Sequence, residues 1–518
     1  DYEFLFYVYG QLNMRDSFLS ECGYDADHPG LWLQTGEGVV LENTTITNCW
    51  HGVYCYNAFN VNITSCTINN NSGDGILCYS YSHDISVVNC TMSGNGEYGV
   101  YCHWFSYDIS IVNCTMSNNG VYGVYCLYSH DISIVNCTVS DNGWDGVCCY
   151  GYVYDISIAN CTINNNGLHG VCCYYRVYDI SLINCTVSGN GRCGIYCERY
   201  LHDISMVNCT MSGNGDYGVW CEYAHHIWVV GCVLRGNGKD GMACTSTVHH
   251  VVVVDTLARG NARFGIYLVS PHSIVRECEL RDNGNAGLRL DGTENITALW
   301  CTMASNYYGV YAKLCDGIRI LASNIYGNTY GIYAYNSSAV EVHVCNIYSN
   351  TQHGLYNDGE YLLNATYCWW GDPSGPEYTD TGDPDDPEEV YSAYGPDYLD
   401  YEPWLTRPYD PMFYVFPDVA EVGSTITIHG HGMAQRVPIY LFANSTFLGT
   451  AITDDDGSFV VATSLDLPAG LYIIRAVDPF GVELTDTIGL YDCTPLDVEA
   501  EVGSIHFRGE IAEFYILV

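Results

Sequence analysis

The chain has 518 residues, of which 17 are Lys or Arg and 59 are Asp or Glu, so its formal net charge is −42. A surface of such negative charge repels nucleic acid and anionic lipid, which excludes proteins that bind either through charge. Apolar residues make up 48% of the chain, enough for a large core, yet no run of about 18 apolar residues predicts a membrane span.

A repeat of about 22 to 24 residues fills most of the chain. Residues 108–126 and residues 131–149 carry the same order of segments, from Asp-Ile-Ser-Ile-Val-Asn-Cys-Thr to a Gly-Val pair and a final cysteine. A unit this short cannot bury its own core, so it must stack on its neighbours. One glycine marks each unit: Gly52, Gly75, Gly99, Gly123, Gly146, Gly170, Gly194, Gly218, Gly241, Gly265, Gly287, Gly309, Gly331 and Gly354.

Apolar residues alternate between the turns, with Ile109 and Ile111 on one side and Ser110 and Val112 on the other. A period of two predicts strands, and Asn-Gly pairs predict the turns between them. Helical repeats are excluded because no period of 3.6 appears, and leucine-rich repeats are excluded because their Leu frame is absent. The remaining architecture is a parallel β-helix in which each unit contributes three short strands.

The Ile-x-Ile-x-Asn frame, followed by Asn and then Gly-Val or Gly-Ile, resembles the right-handed parallel β-helix repeats of pectate-lyase-like and NosD-like surface proteins. Residues 369–376 are similar to the Trp-Gly-Asp-Pro-Ser-Gly-Pro segment that often closes such helices. The resemblance implies an all-β chain with a right-handed parallel β-helix of about 14 coils, one for each glycine marker.

The rest of the chain changes character after the repeat. Short strands with turn signals follow a stretch rich in Pro and acidic residues, and they resemble the Ig-like β-sandwiches of prokaryotic surface proteins. We expect five segments: 1–20, an N-terminal cap or strand; 21–375, the β-helix; 376–411, an acidic Pro-rich connector; 412–493, the Ig-like β-sandwich; and 494–518, the start of a further β segment or an inter-subunit strand.

Two ladders of cysteines follow the repeat. The first ladder is Cys66, Cys90, Cys114, Cys137, Cys161, Cys185, Cys209 and Cys232. The second ladder is Cys55, Cys78, Cys102, Cys126, Cys149, Cys173, Cys197, Cys221 and Cys244. Three interpretations stay open: buried thiols that act as small hydrophobes, disulfides between neighbouring coils or molecules, and a metal or redox array.

Three further cysteines depart from this pattern. Cys148 and Cys172 occupy an outward position that other coils give to Tyr or Trp, and Cys193 interrupts a turn. We predict cross-links that reach beyond the core, with a Cys148–Cys172 bond first, because adjacent coils are about 4.8 Å apart, within disulfide reach. The candidates are Cys148, Cys172, Cys193, Cys22, Cys315 and Cys493.

An Asn precedes Cys-Thr in successive units. Alternation from Ile111 places Asn113 inside, which favours a stacked amide ladder of Asn89, Asn113, Asn136, Asn160, Asn184 and Asn208 over a row of glycans. Sequons elsewhere are better candidates for glycosylation: Asn43, Asn62, Asn295, Asn336, Asn364 and Asn444. The weak candidates for structural Ca²⁺ are Asp383, Asp385, Asp386, Asp454 and Asp456, and we expect no other cofactor.

The 28 cysteines, the sequons and a start at Asp1 without Met lead us to expect a secreted protein of the cell surface. Its coils are nearly identical and its basic residues are few, so we expect no enzyme. The chain resembles an archaeal cell-envelope component, such as a sheath, surface layer or fibre that self-assembles as a homo-oligomer. Two alternatives stay open: an adhesive protein that binds surface glycans through its tyrosines, and a polysaccharide lyase or hydrolase.

Overall fold

The computed structural model describes residues 4–25, 28–245, 247–378 and 390–491. The chain divides into two compact units, residues 1–410 and 411–518. Four of the predicted site residues lie outside the described residues, as does the 494–518 segment: Asp383, Asp385, Asp386 and Cys493.

The first unit is a parallel β-solenoid, which confirms the predicted fold. Each coil contributes a first strand, a second strand and a third strand. The first and second strands belong to a 32-stranded sheet, and the third strands form a 15-stranded sheet. Equivalent residues of successive coils stand in register, as Cys78 does with Cys102 and Cys102 with Cys126.

The first strands are Phe6–Val8, Gly30–Leu33, His51–Tyr56, Ile76–Tyr79, Val100–His103, Val124–Leu127, Val147–Tyr150, Val171–Tyr174, Met242–Cys244, Phe264–Leu268, Ala286–Asp291, Tyr308–Lys313, Tyr330–Tyr335, His353–Asp358 and Val390–Ser392. The second strands are Leu12–Arg15, Val39–Glu42, Phe59–Thr64, His83–Val88, Ile109–Val112, His130–Val135, Val153–Ala159, Val177–Ile183, His249–Val254, Ile274–Arg276, Glu294–Leu299, Asp316–Leu321, Ser338–His343, Leu363–Asn364 and Leu399–Asp400. In two coils the first and second strands are continuous, as Ile195–Val207 and Val219–Val230.

The third strands are Phe18–Ser20, Thr45–Thr47, Thr67–Asn69, Thr91–Ser93, Thr115–Ser117, Thr138–Ser140, Thr162–Asn164, Thr186–Ser188, Thr210–Ser212, Val233–Arg235, Leu257–Arg259, Glu279–Arg281, Thr302–Ala304, Asn324–Tyr326 and Asn346–Tyr348. The solenoid strands therefore run from Phe6 to Asp400, further at both ends than the expected 21–375 segment.

The core lies inside the coils and is built by the alternation seen in the sequence. In one coil, Val100, Cys102, Ile109, Ile111 and Met116 are all at most 1% exposed. Each of these side chains stacks on its equivalent in the next coil, so the core is continuous along the solenoid.

Left-handed residues make the corners between strands. Asn113 and Asn118 have φ of 54° and 55°, a conformation that Asn and Gly adopt most readily. The prediction that the Asn113 row faces inward is wrong: Asn113 is exposed, because the corner turns its side chain out of the strand alternation.

A buried amide ladder does exist, at the next corner. The Nδ2 of Asn95 donates to the Oδ1 of Asn119 at 3.0 Å, and the Nδ2 of Asn119 donates to that of Asn142 at 2.9 Å. The ladder comprises Asn71, Asn95, Asn119, Asn142, Asn166, Asn190, Asn214, Asn237, Asn261, Asn283, Asn306, Asn328 and Asn350. Each rung satisfies polar groups that the core would otherwise leave unpaired.

The marker glycines are required by close packing against this ladder. A Cβ atom on Gly123 would stand 2.3 Å from Cγ1 of Val139, 2.7 Å from the carbonyl oxygen of Gly146 and 2.9 Å from Nδ2 of Asn142. Two of these neighbours belong to the buried ladder or the backbone, so any larger residue displaces the next coil.

Near its end the solenoid is covered by the segment that begins at Trp369. Trp370 is fully buried and lies against Gly354, and a short 3₁₀ helix, Pro396–Tyr398, precedes the last second strand. No helix in the described part of the chain has the length and apolar character that a membrane span requires.

The second unit consists of two sheets. A three-stranded antiparallel sheet contains Met412–Phe416, Thr425–His431 and Phe459–Ser464. A five-stranded sheet contains Val419–Glu421, Glu483–Tyr491, Gly470–Val477, Pro438–Ala443 and Thr446–Ile452. Alternating apolar residues, among them Ile426, Ile428 and Ile488, form the core between these strands.

Candidate functional site

One outward position of the first strands forms a row along the solenoid, here called the aromatic row. The row comprises Trp32, Tyr54, Leu77, Tyr101, Tyr125, Cys148, Cys172, Tyr196, Trp220, Ala243, Tyr267, Arg289, Tyr311, Tyr333, Tyr356 and Tyr391. Tyr101 and Tyr125 stack with ring centroids 5.0 Å apart, and Tyr196 and Trp220 stack at 4.8 Å. The distance between neighbouring coils matches the distance at which aromatic rings stack, so neighbouring rings of the row stabilise one another.

Two adjacent cysteines interrupt this row, and we call this interruption the thiol notch. Cys148 and Cys172 stand in register and are buried, with exposed fractions of 5% and 7%. The neighbouring thiol and burial raise the pKa of Cys148 above its ordinary value. Asp145 lies at the edge of the notch, where burial raises its pKa to about 6 although its carboxylate accepts the N–H of His169 at 2.8 Å.

A second aromatic feature lies at the corner between first and second strands. There, rings at the start of the second strands lie in register along a column, in which three runs stack: Phe59, His83, Tyr107, His130 and Tyr154; Tyr178 and His202; and His225 and His249. Beside the column, five side chains line an apolar groove, here called the aromatic groove: Phe105, Tyr128, His130, Tyr152 and Tyr154. Phe105 is 48% exposed and Tyr152 is 45% exposed, so the groove is an open surface.

The later coils carry a cluster of charge at the corner before the first strands, here called the charged cluster: Asp216, Tyr217, Lys239, Asp240 and Arg263. Arg263 holds Asp240 through two bonds, Nη2 to Oδ2 at 2.8 Å and Nε to Oδ1 at 3.0 Å. Burial raises the pKa of Asp240 even so. Nζ of Lys239 lies 2.9 Å from Oδ1 of Asp216 and 4.9 Å from the Tyr217 ring centroid.

The charged cluster continues into the next coils. Arg289 is only 8% exposed, binds Asp291 at 2.6 Å and lies 3.6 Å over the Tyr311 ring. Most of the 17 Lys and Arg residues lie between Arg176 and Arg319, so this stretch differs from the uniformly acidic rest.

A buried histidine and carboxylate meet in an earlier coil. Nδ1 of His51 accepts the backbone N–H of Asp74 at 2.8 Å, so this nitrogen carries no proton and its 3.3 Å approach to the Asp74 carboxylate is not an ion pair. Burial lowers the pKa of His51 to about 4 and raises that of Asp74 well above its ordinary value. His51 is therefore neutral at pH 5, and Asp74 keeps its proton to a higher pH than an exposed Asp does.

The two predicted cysteine ladders lie in different environments. Every cysteine in the described part of the chain is a buried free thiol. In the first ladder, Sγ of Cys137 accepts the N–H of Cys114 at 3.4 Å and donates to the carbonyl oxygen of Val135 at 3.2 Å. In the second ladder, Cys126 points into the core and is 0% exposed. Cys22, Cys193 and Cys315 are also buried, and the predicted disulfides stay predictions.

The other predicted residues are scattered over the surface. Five of the six glycosylation candidates are exposed and Asn364 is half-buried, with Asn43, Asn295, Asn336 and Asn444 in left-handed conformations. Of the Ca²⁺ candidates, Asp454 and Asp456 are exposed, and Oδ1 of Asp454 already accepts the N–H groups of Asp456 and Ser458 at 2.8 Å. Glycosylation and Ca²⁺ binding stay predictions.

Sequence reasoning missed the aromatic groove and the charged cluster. Both consist of residues about one repeat apart, such as Asp216, Lys239 and Arg263, which the register brings to adjacent coils. Aligning the units at their marker glycines and comparing the two residues before each glycine would have shown the cluster.

The chain matches the family described as "Right handed beta helix region" over residues 11–153, 122–275 and 264–372. Among solved structures, the A-module of the Azotobacter vinelandii mannuronan C-5 epimerase AlgE4 is 16% identical, with a TM-score of 0.35 over 59% of this chain and 84% of that chain. Pectate lyase Pel9A is 12% identical, with a TM-score of 0.31 over 60% of this chain and 79% of that chain. No curated protein matches the chain.

A tailspike of an Acinetobacter phage is 7% identical, with a TM-score of 0.29 over 88% of this chain and 82% of that chain. The prediction that the chain is not an enzyme is corrected: the solved structures that it matches include an epimerase and a lyase, so its fold does not exclude an enzyme. At these identities the likeness concerns the fold. Because the family match covers well over half of the sequence, this chain belongs to the right-handed β-helix family.

Proposed function

We infer that the protein is a structural component of the extracellular cell envelope, such as a sheath, surface layer or fibre, which assembles with copies of itself. The aromatic groove supports this role most directly. It exposes Phe105 and Tyr152 to solvent at one corner of the coils, with the half-buried Tyr128 between them. Contiguous exposed aromatic surface marks contact sites between proteins.

The orientation of the rings favours a protein partner over a glycan. His83 and Tyr107 stack with an interplanar angle of 2°, and His130 and Tyr154 with an angle of 6°. The faces of these rings therefore cover one another, and their edges point outward. A sugar stacks on the face of an aromatic ring, whereas another protein packs against a row of ring edges and hydroxyl groups.

The partner that best fits such a surface is a second copy of this chain. Successive coils, about 4.8 Å apart, supply the rings that line the groove, and a second solenoid presents side chains with the same period. The net charge of −42 opposes this contact, so we expect assembly to strengthen as salt screens the repulsion.

The test uses the full chain with Phe105→Ser and Tyr152→Ser together. We expect the wild type to form ordered assemblies in electron microscopy at high salt and the double variant to remain monomeric in light scattering. The matched control replaces two tyrosines of similar exposure outside the groove, Tyr307→Ser and Tyr335→Ser, at 44% and 40% exposed. Equal assembly of both variants, or a monomeric wild type under all salt conditions, refutes the proposal.

The charged cluster favours a second candidate function, action on an acidic polysaccharide. Lys239 and Arg263 lie 4.9 Å and 5.8 Å from the Tyr217 ring centroid, so cations for a sugar carboxylate stand beside a phenol hydroxyl and the buried Asp240 carboxyl. Such groups serve proton transfer next to a bound anion.

The test of this candidate incubates the chain with alginate, pectate and other polyuronates. Bond cleavage is measured as new reducing ends, and elimination as the ultraviolet absorbance of unsaturated products. We expect Lys239→Met to reduce any rate at least about tenfold, and Lys313→Met, in a later coil, to leave it unchanged. Equal rates for the two variants remove the charged cluster from the reaction.

A further inference from the structure

Three metal-ligating side chains from two consecutive coils meet at the thiol notch. One carboxylate oxygen of Asp145 and the Sγ atoms of Cys148 and Cys172 all lie within 4.8 Å of one another. Exposed fractions of 4%, 5% and 7% show that all three residues are buried. In the described part of the chain, this is the one group of three His, Cys, Asp or Glu side chains whose ligand atoms come so close.

The strand register produces this arrangement. Cys148 and Cys172 are partners in neighbouring parallel strands, so their Cα atoms are about 4.8 Å apart. Asp145 belongs to the corner just before the strand of Cys148. Bonds of about 2.3 Å to sulfur and 2.0 to 2.2 Å to oxygen place the ligand atoms of a tetrahedral ion about 3.5 Å apart. Small side-chain rotations therefore bring the three atoms into coordinating positions.

Core packing does not account for the two outward thiols. The inward neighbours Cys149 and Cys173 already fill the core in these coils, at 0% exposed. In the preceding coils the same outward position holds Tyr101 and Tyr125, which extend the aromatic row.

The buried carboxylate distinguishes a cation from a disulfide. A Cys148–Cys172 disulfide uses both thiols and leaves the buried Asp145 carboxylate with no cation in contact, since Arg192, the cation that acts on it, is paired with Asp216, and such burial is costly. Its contacts with the N–H of His169 and the thiol of Cys172 only partly offset burial. A divalent cation at the notch contacts all three side chains and offsets two of the three negative charges of the two thiolates and the carboxylate.

We propose that Asp145, Cys148 and Cys172 form a binding site for a thiophilic divalent cation of the Zn²⁺ type. Two thiolates and one carboxylate select Zn²⁺ or Cd²⁺ over Ca²⁺ and Mg²⁺, which require oxygen ligands. Binding forms two metal–sulfur bonds and one metal–oxygen bond, and the two thiol protons pass to solvent. The fourth position of the tetrahedron is left for water or another ligand.

The experiment uses the full reduced chain, freed of metal, with Co²⁺ as a spectroscopic probe for a Zn²⁺ site. We expect the near-ultraviolet charge-transfer band of cobalt thiolate to saturate with one tight ion per chain, and Zn²⁺ to displace it. Asp145→Asn should weaken the apparent affinity by about tenfold or more. Cys315→Ser, which removes a buried thiol in a distant coil, should change nothing.

The double substitution Cys148→Tyr and Cys172→Tyr removes both thiols and continues the aromatic row, so it preserves the fold better than two serines would. Circular dichroism checks that this variant keeps its strands. We expect the tight cobalt band to disappear and Zn²⁺ to raise the unfolding temperature of the wild type alone. A band that persists in the folded double variant overturns the proposal. A reduced wild type that shows no cobalt band also overturns the proposal. The same holds if peptide mapping of the native protein finds Cys148 and Cys172 joined in a disulfide and no metal bound.

Discussion

At the scale of single residues, the solenoid tolerates polar groups in its interior only where each one is paired or neutral. The buried Asn ladder is an example of full pairing, since the Asn119 amide donates to Asn142 and accepts from Asn95. Asp74 is the contrasting case. It is 1% exposed, with the imidazole of His51 on one side and the carboxylate of Glu97 on the other.

The raised pKa of Asp74 predicts how its removal changes stability with pH. Burial is the main cause, with Glu97 adding to it, so the unfolded chain ionises at lower pH than the folded one. Stability is therefore lost as pH rises above about 4. Asp74→Asn keeps an Oδ1 that can accept the N–H of Tyr98, now at 3.2 Å, and removes this loss.

We expect Asp74→Asn to raise the unfolding free energy by more than about 1 kcal/mol at pH 7 and by much less at pH 4. Denaturant unfolding at the two pH values measures the difference. Burial lowers the pKa of His51 to about 4, so the unfolding free energy also declines below pH 6.5. This decline occurs in both proteins and cancels in their difference. The exposed Asp84→Asn is the control, and an equal gain from it at pH 7 would contradict the assignment.

At the scale of the strand, the two cysteine ladders place the same residue type in two different environments, a hydrogen-bonded corner and an apolar core. In the corner before the third strands, the coils that lack cysteine use a hydroxyl. Oγ of Ser323 accepts the N–H of Cys301 at 3.1 Å and donates to the carbonyl oxygen of Leu321 at 2.8 Å. Cys137 makes the equivalent bonds with sulfur. In the first strands, Cys126 lies in register between Cys102 and Cys149.

We therefore expect Cys137→Ser to change the unfolding free energy by less than about 1 kcal/mol and Cys126→Ser to lower it by about 1 to 3 kcal/mol. The serine hydroxyl at the corner has backbone partners, whereas the one in the core has only the weakly bonding sulfur atoms of Cys102 and Cys149 beside it. Thermal and denaturant unfolding under reducing conditions compare the two serine variants. Cys126→Ala is measured as well, because it removes side-chain volume without burying a hydroxyl. Equal costs would show that the ladders are equivalent.

The difference between strands and corners explains how much of the structure the sequence alone could predict. Alternation such as Ile109 and Ile111, together with the marker glycines, was sufficient to predict the strands and their parallel stacking, but it left open whether the stacked cysteines are buried thiols, disulfides or metal ligands. It failed for Asn113, because a left-handed corner reverses the side to which the next residue points. The sequence predicted that Cys148 and Cys172 of the thiol notch lie side by side. It did not predict that Asp145 joins them, because the burial of Asp145 depends on how the corner folds against the next coil.

At the scale of the whole molecule, charge opposes folding. The formal charge is −42, and most of the 17 basic residues lie between Arg176 and Arg319, so acidic groups far outnumber cations in the earlier coils. Self-repulsion of this kind destabilises the compact state and is screened by salt, over a distance of about 10 Å at 0.1 M. The interior adds little to this salt dependence, since most of its polar groups are amides and thiols, and the buried Asp240 and Arg289 are each paired with an opposite charge.

We expect the unfolding temperature to rise by several degrees as NaCl increases from about 0.02 M to about 0.5 M, because screening removes the repulsion. Calorimetry in dilute, monomeric samples measures this rise without a contribution from assembly. MgCl₂ and CaCl₂ at equal ionic strength provide the control. An equal rise in all three salts indicates screening, whereas a rise confined to CaCl₂ would show that bound Ca²⁺ and not ionic strength relieves the repulsion.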